Sequence, residues 1–435
     1  MMRIKILILG AGPAGATAAL GLRRLGYPVS LVSEWRRFSA LEGVSVRVLE
    51  ALRGVGLHHA VADATLPSQR QVAWNGQRHA QNVEFLLDRP SFDKGLREDL
   101  RLAGVELIEG RVLNVQTSAT GHQVDIEGRE PLSVDFLIEA RGRQAPALGK
   151  SVRGPETLSL LNRWQGQPGV IASAVESLDD GWVWMARQAD GQCYWQWTLD
   201  VASADLPAKQ DLPGYCLRRR RDSSIAQALF GPQPRLEDVQ LHARSSTAIL
   251  NPQVCGNHWI RIGDAAMAVD PLSGNGIFQS LSSALQAPSV INTLLLKPER
   301  AALAQSFHQR RVENLFLRFA RIGRDFYLDE QRWQEQPFWL ARRKWPDADA
   351  AHAEADFSAL RIERAPVLQD GFVVEADVVI TPDQPLGAWY VQGVELAPLV
   401  RRLRTESAER VLAGLTLEQG RMVRSWLTAQ GYKPS

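Results

Sequence analysis

The stretch Ile4-Lys5-Ile6-Leu7-Ile8-Leu9-Gly10-Ala11-Gly12-Pro13-Ala14-Gly15-Ala16 runs an apolar strand into three spaced glycines and a helix start. Each glycine has its own reason in a dinucleotide-binding turn. Gly10 allows the tight bend out of the strand, Gly12 lets backbone N–H groups reach a pyrophosphate, and Gly15 lets the helix pack close to the sheet. Pro13 and Ala14 fall at the first helical positions, where proline is tolerated and partial positive charge faces an anion. A second apolar strand, Pro28 to Ser33, ends at Glu34, about 20 residues beyond the glycines, where an acid accepts the ribose hydroxyls. An acid there repels a 2′-phosphate, so the turn suits FAD or NAD.

A chain of 435 residues is long for one core at ~150 residues per domain, and two or three domains are expected. Hydrophobic content of 45% with 23% charged residues is ordinary for a globular protein. The formal net charge of +2 gives no reason to expect nucleic acid or a membrane as partner. Cys193, Cys216 and Cys255 are widely spaced and lack any C-x-x-C pairing, which speaks against a disulfide framework and a zinc site alike; no metal is expected. The apolar N-terminal run is too short for a bilayer and lacks a basic leader with a cleavage site, so the expected location is cytoplasmic.

Outward from the first motif, Val46 to Leu57 has helical spacing and stops at the glycine pair Gly54 and Gly56. Ser91 and Gly104 are candidate caps of the next helix. Val112 to Thr117 and Gln123 to Ile126 read as a hairpin, and Phe136 to Ala140 as a buried strand. Between about 151 and 250 the pattern changes to aromatic strands. Gly181-Trp182-Val183-Trp184-Met185-Ala186 turns at Asp190-Gly191 into Cys193-Tyr194-Trp195-Gln196-Trp197. Trp182 and Trp184 share one face of their strand, as Trp195 and Trp197 do of theirs. The four indoles either line a substrate cavity or pack an ordinary core. Arg218 to Arg221 reads as a solvated helix face.

A third segment repeats strand, glycine loop and helix start: Trp259 to Ile262, then Gly263-Asp264, then Pro271-Leu272-Ser273-Gly274-Asn275-Gly276-Ile277. Asp264 is placed to accept from a ribityl hydroxyl, and Gly274 to Gly276 to bring backbone N–H groups to a flavin ring edge. No general base stands out, since His79, His242 and His258 read as surface or packing residues. After a polar linker near Asp347 to Asp356, strands over 372–380 and helices Leu396 to Leu403 and Gln419 to Gln430 read as a separate module.

These three motifs, in this order, resemble the FAD-dependent aromatic hydroxylase (group A flavoprotein monooxygenase) superfamily, which also holds flavin halogenases and geranylgeranyl reductases. The resemblance covers residues 1 to about 330. It implies that Gly10, Gly12, Gly15 and Glu34 hold the ADP part of FAD, and that Asp264, Pro271 and Gly274-Asn275-Gly276 meet ribityl and isoalloxazine. Arg89, with Phe92 and Asp93, looks like the family's conserved arginine and helix opening. Arg141-Gly142 stands where the family has Asp-Gly or Ser-Gly, and Met267 where many members have histidine. Halogenation is disfavoured: no lysine lies between Lys5 and Lys94, and Trp182-Val183-Trp184 does not continue as the halogenase W-x-W-x-I-P.

The implied fold is α/β. It has a Rossmann-like FAD-binding domain (1–75, 88–150, 251–330), an inserted antiparallel β-sheet substrate domain (76–87, 151–250), and a small α+β, winged-helix-like C-terminal module (331–435). The implied activity is hydroxylation of an electron-rich ring through a flavin C4a-hydroperoxide, with NAD(P)H and O2 as co-substrates. Within the superfamily the chain looks most like the branch that hydroxylates a tryptophan of a small polypeptide during tryptophylquinone maturation. A small-molecule hydroxylase, a flavin reductase of the same fold and a non-catalytic flavin-binding partner protein are the alternatives.

Overall fold

Ile6–Leu9 is buried at every position and forms the middle strand of a five-stranded parallel sheet in the computed structural model, which describes residues 4–36, 38–274 and 276–433. The strand order is Trp259–Arg261, Phe136–Glu139, Ile6–Leu9, Val29–Ser33, Glu106–Glu109. The chain thus moves from one side of the first strand to the other, and ligands of such sheets bind at the carboxyl ends beside that reversal. The helix Pro13–Arg24 leaves from this point with Ala14 to Leu20 buried along its length. The next predicted helix runs from Arg89 to Leu102 and is capped by Asp88, not Ser91: the Asp88 carboxylate accepts the Ser91 N–H at 3.1 Å. A carboxylate caps better here because Arg89 and Pro90 already fit the first turn.

An eight-stranded sheet carries the aromatic segment, in the order Gln240–Ser245, Thr157–Gln165, Gln192–Asp200, Gly181–Arg187, Ala172–Leu178, Ser68–Trp74, Gln77–Asp88, Leu41–Val44. It is antiparallel except where Ala172–Leu178 meets Ser68–Trp74. Besides the expected segments, Leu41–Val44 and Ser68–Trp74 therefore belong to this sheet. Its register decides the tryptophan question. Trp182 lies opposite Thr198 and Trp184 opposite Gln196, whereas Trp195 lies opposite Met185 and Trp197 opposite Val183. Directly opposed residues share a face, so the four indoles divide between two faces and do not line one cavity.

Trp195 and Trp197 pack with Leu160, Met185, Cys216 and Phe230 under the helices Leu212–Arg221 and Ser224–Phe230. Burying an indole removes about 150–250 Å² from water, on the order of a few kcal/mol at ~25 cal/mol per Å², which suits a core role. Burial also pushes the Cys193 and Cys216 thiols up to about 11. Arg220 departs from the solvated reading: it is only 1% exposed, stacks over Trp164 at 4.2 Å and donates from Nε to Gln233 at 2.9 Å.

The chain divides into two units, residues 1–285 with 315–349, and residues 286–314 with 350–435. Residues 331–349, expected in the C-terminal module, pack in the first. Trp339 is fully buried and donates from Nε1 to the Leu178 carbonyl at 2.9 Å, and Arg342 pairs with Asp200 at 3.1 Å. Residues 286–314 instead join the second unit, where Thr293 Oγ1 accepts the Val373 N–H at 2.8 Å. That unit holds a three-stranded antiparallel sheet (Arg361–Gln369, Phe372–Thr381, Gln384–Ala388) and the helices Leu396–Leu403, Ala408–Leu412 and Leu417–Ala429. Val379, Leu396, Val400, Val423 and Leu427 form its core. Among the described residues no helix is long and apolar enough to cross a membrane.

The core assignment of Trp195 has a measurable consequence. Trp195→Ala lowers the unfolding free energy by about 3–5 kcal/mol in urea titrations; a loss below about 1 kcal/mol would mean that the indole lines a preformed cavity instead.

Candidate active site

The glycine turn is shaped by contacts that leave no room for side chains at two positions and open space at the third. Gly10 adopts φ +106°, and a Cβ there would sit 2.5 Å from the Ala140 carbonyl oxygen. A Cβ on Gly15 would lie 2.0 Å from the Gly10 carbonyl oxygen, so helix and strand touch backbone to backbone. At Gly12 no described atom of the protein lies within 4 Å of the same point. The fold itself does not demand this glycine; the space before it does. Gly12 is also the N-cap of the helix Pro13–Arg24, without a side-chain cap and with no acid in the first turn. Uncapped first-turn N–H groups beside an open glycine make an anion site, and a pyrophosphate fits it. The Gly10 N–H binds the Val32 carbonyl at 2.8 Å, and Ser33 Oγ accepts the Ala11 N–H at 3.3 Å. Exposed Glu34 follows directly, at the rim of the same turn.

The second glycine loop lies against the first. Gly263 adopts φ +59°, and a Cβ there would come within 2.7 Å of the Ala14 Cβ. Its N–H donates to Ser283 Oγ at 2.8 Å. The Asp264 carboxylate accepts from Ser280 Oγ at 3.4 Å and faces Arg143 Nε at 3.5 Å. Burial raises its pKa, opposed chiefly by Arg143. Gly142, at φ +63°, lies 3.8 Å from the Asp264 Cβ by the same measure, while Arg141 turns back onto Glu139 with Nε–Oε1 at 3.0 Å. Arginine in place of an acid at 141 thus leaves the neighbouring glycine against Asp264.

Asp270 then caps the one-turn helix Pro271–Ser273, accepting the Leu272 N–H at 2.9 Å. Gly274 is left-handed at φ +63°, and a Cβ at Gly274 or Gly276 meets no described atom within 4 Å. Both glycines therefore open onto unfilled space where the helix Gly276–Leu296 begins, with Ile277 in its first turn. Asn275 lies outside the described residues. Open space at Gly12, Gly274 and Gly276 leaves room at both loops for the parts of an FAD.

Arg89 is placed differently from a simple ligand contact. It is 5% exposed, and its Nη groups go to Glu42 at 3.1 Å and Asp93 at 2.8 Å, with only Nε buried and unpartnered. Arg36 approaches Asp93 at 3.6 Å. Burial pushes Glu42 up, but the Arg89, Arg36 and Arg244 guanidiniums outweigh it and hold its carboxyl below the usual range. Asp93 is raised, because burial, with the Glu42 charge, outweighs Arg89 and Arg36. Arg244 also acts on Asp264 and donates to Gln196 at 3.3 Å. Three guanidiniums against two carboxylates leave this rim positive. Glu42, Arg36 and Arg244 lie outside the motifs and carry no spacing signal.

On the sheet face that bears Trp182 and Trp184, a hydrogen-bonded chain leads to the second loop. Trp182 Nε1 donates to Tyr327 Oη at 3.3 Å, and Tyr327 donates to Asp270 at 3.0 Å. Burial, then the Asp270 charge, lifts the Tyr327 phenol well above its ordinary range, so it stays a donor. Trp74, Trp182, Tyr327, Phe338 and Trp339 form one buried cluster with Leu272 against it. The register therefore puts Trp182, itself buried in this cluster, and half-buried Trp184 on the face joined to the second loop, and Trp195 and Trp197 on the far face.

The FAD binding domain family matches residues 3–313, and the chain belongs to it. A solved structure titled as the peptidyl tryptophan dihydroxylase QhpG, essential for tryptophylquinone cofactor biogenesis, is 61% identical and superposes with a TM-score of 0.89 over 99% of this chain and 100% of that one. The tryptophan 2-halogenase of Chondromyces crocatus is 23% identical over 78% of this chain and 70% of its own. The digeranylgeranylglycerophospholipid reductase 1 of Methanothermobacter thermautotrophicus is 27% identical over 66% of this chain and 76% of its own. The chain is an FAD-dependent monooxygenase of the aromatic hydroxylase superfamily, and its cofactor is FAD.

Two glycine substitutions separate fold from cofactor. Gly12→Val, at an extended N-cap of φ −69° with open space beyond, leaves apoprotein stability within about 0.5 kcal/mol and abolishes the yellow FAD complex. Gly10→Val destabilises the fold itself. A yellow Gly12→Val protein with normal flavin affinity would contradict the cradle.

Proposed function

We propose that this chain inserts oxygen into a tryptophan side chain of a small polypeptide, using NAD(P)H and O2, on the way to a tryptophylquinone. The observation that carries the reading is 61% identity, spread over 99% of the chain, to a peptidyl tryptophan dihydroxylase. Each of two successive rounds balances as Ar–H + O2 + NAD(P)H + H⁺ giving Ar–OH + H2O + NAD(P)⁺. Shared fold with halogenases does not extend to their chemistry, because no lysine occurs between Lys5 and Lys94.

In this reading the first-turn N–H groups after Gly12 hold the pyrophosphate, Glu34 the ribose, Asp264 the ribityl chain, and the backbone of Gly274, Gly276 and Ile277 the ring edge. Bound FAD supplies activation of O2 and transfer of one oxygen atom to an electron-rich ring, with NAD(P)H as reductant. The protein's share is positioning and exclusion of water. Half-buried Trp184 gives an aromatic surface for an indole, buried Trp182 backs it, and Tyr327 holds Asp270 so that the Pro271–Ser273 turn keeps its place. No residue is assigned as general base. The aromatic strands of 151–250, with the first-hundred strands paired to them, are the substrate-facing domain.

Incubation of the holoenzyme with candidate small polypeptides, NADH or NADPH and O2, followed by intact mass and residue mapping, tests this. The expected gain is two oxygen atoms on one tryptophan, with NAD(P)H oxidation stimulated by the polypeptide. Oxygen gained by free aromatic compounds but by no polypeptide would overturn it in favour of a small-molecule hydroxylase.

A further inference from the structure

The second unit holds a cavity of about 240 Å³ that shares no residue with the flavin loops. Its polar side comes from Gln286, Arg310 and Arg311, and its apolar walls include Phe307, Val367, Leu386 and Trp389. Phe307 and Arg311 are one helical turn apart on the helix Ala301–Asp329 and therefore share a face. The opposite wall is stiff. Gly387 adopts φ +87°, and a Cβ there would lie 2.2 Å from Val378 Cγ2, so the strand Gln384–Ala388 is pressed onto its neighbour.

Two polar atoms in this lining are buried without a partner, Arg311 Nε and Gln286 Oε1. Among the described residues no carboxylate pairs with Arg311. Burial lowers its pKa with no acidic neighbour acting the other way. Arg311 is half-buried with its Nε fully enclosed; a guanidinium so placed without a counter-ion is completed by an anion, and a planar carboxylate matches its fork. Gln286, turned end for end, presents its amide hydrogens to the same space.

We propose that this cavity binds a free, small organic acid whose carboxylate sits on Arg311, with Arg310 at the mouth, and whose compact apolar body lies between Phe307 and Trp389. Its volume is below the about 300–1,000 Å³ of drug-sized sites, which suits one ring or branched chain with its carboxylate. A peptide is the poorer occupant. The lining comes from both outer strands, so the cavity spans the sheet's face from one to the other, whereas an extended peptide pairs along a single edge.

Calorimetric titration of the FAD-loaded full chain with 3-phenylpropionate, 3-phenylpropan-1-ol and inorganic phosphate is the test, with a crystal soak of the acid to place it. The acid is expected to bind one to one in the second unit, at least about tenfold tighter than the alcohol or phosphate, and Arg311→Met is expected to lose at least about tenfold in affinity, with Arg311→Lys between. Equal binding of acid and alcohol, binding untouched by Arg311→Met, tighter phosphate, or density for the acid only beside Trp182 would each overturn it. If Arg311→Met does not fold, the contrast between acid and alcohol on the unaltered protein decides. A tripeptide ending in phenylalanine that outcompetes the free acid would also overturn the assignment.

Discussion

The contact between Gly263 and Ala14 is the constraint on which the site depends. A Cβ at Gly263 would stand 2.7 Å from the Ala14 side chain, so the end of strand Trp259–Arg261 and the start of helix Pro13–Arg24 meet with nothing between them. Two loops separated by about half the chain thereby become one surface. Gly12 opens on one part of it, Gly274 and Gly276 on another, and Asp264 lies between them. A larger residue at Gly263 would push the two loops apart, leaving two anion-binding turns but not one cradle for a dinucleotide.

What the cradle faces is set by sheet register. Antiparallel pairing places Trp182 and Trp184 together with Ser159, Gln196 and Thr198 on one face, and Trp195 and Trp197 among aliphatic and thiol groups on the other. The first face is tied to the second glycine loop through Tyr327 and Asp270, both buried. A positive rim from Arg36, Arg89 and Arg244 borders it.

Much of this was legible in the chain because the strongest signals are local. Burial of Ile6–Leu9, the glycine spacing, Asp264 and the hairpin around Asp190-Gly191 each follow from a few neighbouring residues, and the family's motifs supplied the cofactor. What was not legible depends on distant partners. The division of four tryptophans needs the strand register across the turn, which alternation within each strand does not specify. Arg89 is occupied by Glu42 from 47 residues away, and Arg220 is drawn inside by Trp164. Residues 331–349 belong to the first unit because Trp339 reaches Leu178, 161 positions earlier. Asp88 outcompeted Ser91 as a cap because only the helix start shows which residue lies outside it.

Electron density for FAD in crystals of the holoenzyme tests the central claim most directly. The expected density places the pyrophosphate within hydrogen-bonding distance of the N–H groups that follow Gly12, the ribityl chain at Asp264, and the isoalloxazine edge along Gly274, Gly276 and Ile277, with its ring toward the sheet face of Trp182 and Trp184. A flavin whose ring lies toward Trp195 and Trp197, or whose phosphates sit away from Gly12, would contradict it.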